Sequence, residues 1–389
     1  MEKLTVGVIF GGRTVEHEVS IISALQAINA LDKDKYRPVP IYISKQGAWY
    51  TGEALLELAN YRDMQALKAR LKEVYFSPAY GEWQLKEVGK QSLFIKPWQC
   101  QLDVIIPVLH GTHGEDGCLQ GLLELSGIPY AGPGVLGAAL GMDKIAMKAM
   151  LKEVGLPVTD YIWFRREEWQ DNEEAVLDKI EEALVYPLMV KPANLGSSIG
   201  ITRADDRKEL REALTVAAGF ANRLIAEAAI TPLRELNCAV LGSGSQVEIS
   251  CIEEPLAAAQ VLSFADKYLE NAGGKGMSGA KRRIPADLDI SLAAEIAEMS
   301  RRAFMALDGA GVARIDFLYN PEAKRLYINE LNTIPGSLAF YLFEPAGCAF
   351  TALLDELIRL ALSQYREKEK LIFTYDSNIL AQGGFKGKK

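Results

Sequence analysis

The sequence predicts an α/β domain built on a parallel sheet, followed by a portion of α+β type. Three observations predict it: apolar runs alternate with helical spacing early in the chain, longer β segments dominate later, and glycine-rich turns stand where early strands end. With 389 residues, 49% hydrophobic and 24% charged, the chain can fill two or three cores without disulfide staples.

The first element is the apolar run Leu4 to Phe10, ending at Gly11-Gly12, after which Val19, Ile22, Leu25, Ile28 and Leu31 recur at helical spacing. This is strand, glycine turn, helix. Val39 to Ile43 and Asp103 to Leu109 supply two more strands, the last running into His110-Gly-Thr-His-Gly-Glu-Asp-Gly117. Residues 45–102 show no clear repeat and read as an elaboration on this domain. In such a sheet, function is expected at the C-terminal ends of the strands. Asp143 to Val154 reads as a helix stopped by Gly155 and Pro157. Strands are expected at Tyr161 to Phe164 and Leu188 to Lys191, and a helix over Asp205 to Ala221, capped by Asp205-Asp206. Then come the β segments Leu236 to Leu241, Val247 to Ile252, Val312 to Leu318 and Leu326 to Leu331, interrupted by a helix around Ala293 to Leu307. A long helix, Phe350 to Tyr365, precedes a charged run, a short strand at Leu371 to Tyr375 and a polar tail.

Composition excludes several classes. Forty-three basic against 51 acidic residues, net -8, argue against a nucleic-acid or membrane partner held by bulk charge. The five cysteines are scattered and form no C-x-x-C pair, and the opening residues lack signal-peptide character, so a cytoplasmic location is expected. The uncharged stretch Leu125 to Met142 holds five Gly and two Pro, which rules out one continuous apolar helix.

The most informative pattern is Val312-Ala-Arg-Ile-Asp-Phe-Leu318, a turn, then Leu326-Tyr-Ile-Asn-Glu-Leu-Asn332. Residues two apart on a strand share a face. A register placing Asp316 opposite Glu330 puts Arg314 opposite Asn332, and gathers two carboxylates, an amide and a guanidinium. That set suits a magnesium-bound nucleoside triphosphate; a solvated, salt-bridged sheet face has the same residues. Thr333-Ile-Pro-Gly336 follows, a turn able either to present backbone N–H groups to an oxyanion or simply to reverse the chain. A second segment, Lys191-Pro-Ala-Asn-Leu-Gly-Ser197-Ser198-Ile-Gly200, delivers a lysine from a strand into a loop able to wrap phosphate, or into a plain Gly-Ser loop. Gly132-Pro-Gly-Val-Leu-Gly137 fits G-x-G-x-x-G but lacks the strand before it and the acid on a second strand after it. His110, His113, Glu115 and Asp116 offer no clear third zinc ligand.

Taken in order, Gly11-Gly12 through Glu16 to Ser20, His110-Gly-x-x-Gly-Glu-Asp-Gly117, Met142-Asp-Lys144, Val190-Lys-Pro192 with Gly196-Ser-Ser198, Arg234-Glu235, Arg314-x-Asp316 and Asn329-Glu-x-Asn-Thr-x-Pro-Gly336 closely resemble the D-alanine:D-alanine ligases of the ATP-grasp superfamily. The resemblance covers about residues 4–360. It implies an ATP-grasp fold preceded by an N-terminal parallel-sheet domain, with domains at 1–131 (insert 45–102), 132–230 and 231–365 and an extension at 366–389. It further implies a homodimer that takes D-alanine and ATP and uses two magnesium or manganese ions. Carried over by motif, Lys144, Lys191, Ser197 and Ser198 would meet the ATP phosphates, Glu227 and Glu235 the adenine and ribose, and Asp316, Glu330 and Asn332 the metal ions. Glu16 would bind the first D-alanine, linked by Ser197 to Tyr268. His110, Lys267, Tyr268, Tyr341 and Leu342 would line the substrate site, with Arg314 and the Gly336 backbone stabilising charge. The reaction implied is D-alanyl-D-alanine formation through an acyl phosphate, for peptidoglycan synthesis.

Two departures fall on the second-substrate side. The resembled family usually has Ser-Leu where this chain has Tyr341-Leu342, and the loop after Lys267-Tyr268 is longer, glycine-rich and basic, with Lys281-Arg-Arg283 at its end. A closed pocket of altered build, or a different acceptor such as another D-amino acid, a hydroxy acid or a small dipeptide, would account for them. A nucleotide-binding protein without catalysis would be expected to lack a metal ligand or a phosphate lysine, and none is missing.

Overall fold

The computed structural model describes residues 2–89, 97–256 and 282–377, arranged around three sheets. In the first, β1 (Leu4–Gly11) is buried along almost its whole length, as a strand covered on both faces must be. It pairs in parallel with β2 (Tyr36–Ile43) on one side and with the strand Val104–Pro107 on the other. The segment expected to be an elaboration on this domain extends this sheet. It supplies β3 (Trp49–Thr51), β4 (Lys72–Phe76), β5 (Gln84–Glu87) and β6 (Gln99–Gln101), all antiparallel, beyond β2, with Val104–Pro107 as β7 at the other edge. The sheet is therefore mixed rather than wholly parallel. Strands of three to five residues carry too few alternations to announce themselves in sequence.

Alternation along β1 divides two cores. Val6, Val8 and Phe10 pack with Ile21, Leu25 and Ile28 of helix α1 (His17–Ala30), and with Leu353, Leu354 and Leu357 of the last long helix, Phe350–Lys368. Ile9 faces the other way, with Ile41, Ile105 and, from helix α2 (Cys118–Ser126), Leu119 and Leu123. The uncharged stretch after α2 is broken at Gly127 and resumes as helix only at Val135. Gly137 of the dinucleotide-like motif is a packing glycine, since a Cβ there would stand 2.4 Å from the Asp308 carbonyl oxygen. Among the described residues, no single helix is long and apolar enough to cross a membrane.

Helix α3 (Lys144–Glu153) lies between the second and third sheets. Asp143 caps it by accepting from the N–H groups of Ile145 and Ala146, and the Lys144 N–H donates to the Ala193 carbonyl, 2.8 Å away, just past the end of a strand of the second sheet. The second sheet is antiparallel in the order β10-β9-β11-β8: β8 is Tyr161–Arg165, β9 Leu188–Pro192, β10 Thr202–Ala204 and β11 Arg223–Ala228. It holds its own core with helix α4 (Arg207–Ala218), whose cap is Asp206. The third sheet is also antiparallel, in the order β14-β13-β12-β15-β16. Its strands are β12 (Arg234–Ser243), β13 (Gln246–Pro255), β14 (Arg282–Arg283), β15 (Ala310–Asn320) and β16 (Arg325–Asn332). Met147 and Leu151 of α3 join Ile296 and Phe304 of helix α5 (Ile290–Ala306) against Leu236, Val240, Ile315 and Phe317.

One expected strand does not form. Leu371 to Tyr375 is extended chain outside every sheet, with Ile372 90% exposed. Apolar β-branched composition supplies no edge to pair with, and a strand exists only through its partner.

Candidate active site

The C-terminal end of β1 turns through Gly11 and Gly12, both in the left-handed region; a Cβ on Gly11 would lie 2.2 Å from the Ile43 carbonyl oxygen. Ser20 fixes the turn by accepting from the Gly11 N–H (2.7 Å) and donating to the Val108 carbonyl (2.5 Å). His17 bridges the Gly12 carbonyl through Nδ1 (2.7 Å) and the Tyr42 hydroxyl through Nε2 (3.1 Å), and its burial lowers its pKa. These anchors leave Glu16 buried where two other loops converge. The Ser197 hydroxyl donates to Glu16 Oε1, and Cβ atoms on Gly111 or Gly196 would come within 2.6 and 2.7 Å of Oε2. Ser197 and Ser198 are both held at positive φ, which bends their loop toward the carboxylate. Tyr268 and Lys267 lie outside the described residues.

His110 is a clamp inside the protein. Its Nδ1 lies 2.8 Å from the Ile334 carbonyl and its Nε2 3.0 Å from Ser23 Oγ, which in turn accepts from the Ser337 N–H at 3.0 Å. A carbonyl can only accept, so the ring carries its proton on Nδ1 and Nε2 accepts from Ser23. Burial drives the imidazole down to about 4, helped by the charge of Arg314 and opposed by the bond to Ile334. Glu115 completes the clamp by accepting from the N–H groups of Gly111 and Ile334, each at 2.8 Å. Its burial, reinforced by the Glu16 charge, pushes it up to about 8. Held from two sides, the chain after Gly336 runs through three consecutive left-handed residues, Ser337, Leu338 and Ala339. His113 is exposed, and no cluster of three metal-binding His, Cys or acidic side chains gathers around it among the described residues.

The hairpin of β15 and β16 has the register expected: Arg314 faces Asn332, and Asp316 faces Glu330, with a bulge immediately after. Arg314 grips Asp316 with two bonds, 2.6 and 2.7 Å, and Asn332 Nδ2 donates to the same carboxylate at 3.2 Å. Lys144 reaches in from α3, its ammonium 2.8 Å from the Leu195 carbonyl and 3.4 Å from Glu330. Hard oxygen donors from Asp316, Glu330 and Asn332, side by side and faced by cations, are a donor set that fits a magnesium ion shared with phosphate oxygens.

Behind this hairpin, Glu227 on β11 is fully buried. Its Oε2 takes Lys191 at 3.0 Å and Thr159 at 3.1 Å, while Lys191 also donates to Asn329 Oδ1 at 3.0 Å. Burial opposes ionisation of this carboxyl, but the charges of Lys148 and Lys191 outweigh it and hold it at about 2. Oε1 has no hydrogen-bond partner among the described residues, an orphaned acceptor that fits an amino group of a bound base. Glu235 sits half-buried on β12 opposite Leu318.

Tyr341 and Leu342, expected to line the substrate site, are both buried. Tyr341 does not hold its hydroxyl open to a pocket; it lies 3.2 Å from Glu253 Oε1, which also accepts from Asn237 (3.0 Å), while Arg282 binds Oε2 (2.9 Å) and stacks over the Tyr341 ring at 4.3 Å. Burial and the Glu253 charge push the phenol up to about 12, so it remains a donor. The side chain of Leu342 is fully buried in the core beneath the first sheet, so any substrate contact there falls to its backbone. Glu253, Asn237, Thr159 and Lys148 carry no motif that sequence reasoning could catch. Only Lys148 leaves a trace, as a lysine on the same helical face as Ile145, Met147 and Leu151.

Comparisons with known proteins bear on the family and the fold. The family model for the D-ala D-ala ligase N-terminus matches residues 5–133, and that for the C-terminus matches residues 150–359. The D-alanine–D-alanine ligase of Bacillus cytotoxicus is 40% identical over 380 residues, covering 96% of this chain and 100% of its own. That of Natranaerobius thermophilus is 39% identical over 377 residues, covering 95% and 98%. Among solved structures, the D-alanine-D-alanine ligase from Coxiella burnetii is similar at TM-score 0.77 and 31% identity, covering 98% of this chain and 100% of its own. The VanG D-Ala:D-Ser ligase from Enterococcus faecalis has the same TM-score and identity, covering 92% and 100%. With both family models matched in order and relatives aligned over nearly their full length, this chain belongs to the D-alanine–D-alanine ligase family.

Proposed function

We propose that this chain is an ATP-dependent ligase that joins two D-alanines into D-alanyl-D-alanine for peptidoglycan precursors. The observation that carries the reading is the hairpin register, which sets Arg314 and Asp316 against Asn332 and Glu330 with Lys144 3.4 Å from Glu330. A carboxylate is a poor electrophile, so the first D-alanine is activated by transfer of the γ-phosphoryl group of ATP to its carboxylate, giving an acyl phosphate and ADP. Glu16 receives the substrate ammonium, and Ser197 fixes the carboxylate that does so. Lys144 and Lys191 hold the nucleotide phosphates. Asp316, Glu330 and Asn332 would hold two magnesium ions, which when bound would supply charge neutralisation to the phosphoryl group. The amine of the second D-alanine then attacks the acyl carbon, and phosphate leaves with the C–O bond. Arg314, aimed by Asp316, and the backbone at Gly336, aimed by His110 and Glu115, stabilise the anionic oxygen of that step.

Acceptor choice is tested by pairing D-alanine with a panel of amine and hydroxy-acid acceptors, D-serine included, and reading ADP release and product mass. D-alanyl-D-alanine is expected as the dominant product. A better acceptor than D-alanine would overturn the substrate assignment, and no ADP release with any pair would overturn the enzymatic one.

A further inference from the structure

Lys148 takes no part in the chemistry above, yet its side chain is 0% exposed, four residues after Lys144 on the buried face of α3. Its ammonium donates to Thr159 Oγ1 at 3.2 Å and stands 3.5 Å from Glu227 Oε2. The same oxygen already takes Lys191 and Thr159. Two lysines thus share one carboxylate, and the buried group carries a net positive charge next to a third lysine, Lys144.

Burying a lysine is costly, and a buried ion pair gives little net stability over an apolar filling of the same volume. Fold stability therefore does not explain this residue; charge does. If Glu227 had only Lys191 to balance, the pair would be neutral and the Lys191 ammonium would be drawn fully onto the carboxylate. With Lys148 taking part of that negative charge, Lys191 keeps an uncompensated share and extends to Asn329, the neighbour of Glu330. The bond network through Thr159 also fixes Glu227 so that Oε1 stays unengaged.

We infer that Lys148 is a positioning residue for the nucleotide: it shares Glu227 with Lys191, leaving the Lys191 ammonium partly uncompensated for phosphate and Glu227 Oε1 open to an amino group of the base. The inference rests on the nucleotide-binding reading above and deepens it. Two properties follow together, affinity for a triphosphate and preference for a base with an exocyclic amine at the six position over one with a carbonyl.

The test is calorimetric binding of magnesium-ATP and magnesium-GTP to the full chain, alongside KM for each substrate. Lys148→Met keeps the length and removes the charge. It should weaken ATP binding about tenfold, narrow the ATP-to-GTP preference, and leave KM for D-alanine unchanged. Thr159→Val removes the bridging hydroxyl and should move the same two quantities in the same direction, about threefold, which keeps the idea testable if the lysine variant does not fold. A folded Lys148→Met with unchanged ATP binding overturns the inference, as does one in which ATP and D-alanine are weakened equally. If the unaltered protein binds ATP but does not release ADP with D-alanine, the reading of its reaction fails while the positioning role is still decided by the binding data.

Discussion

The side of the site proposed for nucleotide and the side proposed for the acceptor pose opposite electrostatic problems. On the nucleotide side, Lys144, Lys148 and Lys191 face Glu227 and Glu330, and the buried lysines outnumber the carboxylate they share. On the acceptor side one buried carboxylate, Glu253, is fully engaged by an arginine, an amide and a phenol. The Glu227 group, with two ammonium charges on one carboxylate, is left with positive charge for a polyanion to complete. The Glu253 group is already complete, so it shapes a pocket rather than attracting a ligand. A charge balance taken over the whole chain, net -8, hides both.

The largest test of this contrast removes a group proposed to hold metal on the nucleotide side. Asp316→Asn, which keeps an oxygen to accept from Arg314, should lower kcat by about a hundredfold to a thousandfold, the scale of a lost transition-state charge stabiliser, while circular dichroism stays close to that of the parent. A folded variant that still releases ADP at the parent rate would break the metal assignment.

Next in size is a pH effect at the clamp that joins the two regions. His110 is neutral in the fold, with its pKa driven to about 4 by burial. The unfolded chain takes up a proton near 6.5, so the associated stabilisation is complete above that value and is lost as pH falls through it toward about 4. At about 1.4 kcal/mol per pKa unit, the loss is on the order of 3 kcal/mol. His110→Gln should lack this part of the acid dependence. Glu115, raised to about 8, contributes an opposite slope between its ordinary value and about 8 in both proteins, so the difference between the two denaturation curves isolates the histidine.

A smaller change sharpens the acceptor side. Tyr341→Phe deletes the hydroxyl bound to Glu253 and should raise KM for the second D-alanine about fivefold, near 1 kcal/mol, with KM for ATP unchanged. Equal changes in both constants would remove Tyr341 from the acceptor pocket. Smallest of all, and remote from both regions, Asp206→Ala removes the cap of α4 and should cost about 1 kcal/mol in denaturant unfolding without affecting either KM.

Much of the hairpin is legible in sequence because antiparallel pairing across a short turn makes the register follow from counting. Residue spacing alone brings Arg314, Asp316, Glu330 and Asn332 to one surface, and the strand pairing has them there. The strands β10 and β11 are harder to read, since three residues at Thr202 to Ala204 and six at Arg223 to Ala228 are too short to set a period. Leu371 to Tyr375 misleads in the other direction, as β-like composition without a neighbour. Lys148 shows a further limit. A lone lysine in a helix is ordinarily a solvated one, and only the approach of β11 and Thr159 from distant parts of the chain reveals that its charge is enclosed. Tyr341 stands out in sequence as unusual, but the partner that defines it, Glu253, lies on another strand and carries no local signature.

One packing arrangement bears on how the molecule is made. The core under the first sheet joins Val6, Val8 and Phe10 to Leu353, Leu354, Leu357 and Ile358, the opening strand to the last long helix. At ribosomal rates of roughly 5–20 residues per second, that strand waits on the order of tens of seconds until its cover is synthesised. During this interval the apolar face of the newborn N-terminal sheet has α1 and the segment around Leu55 and Leu67 to shield it. The last helix is therefore the closing step of assembly.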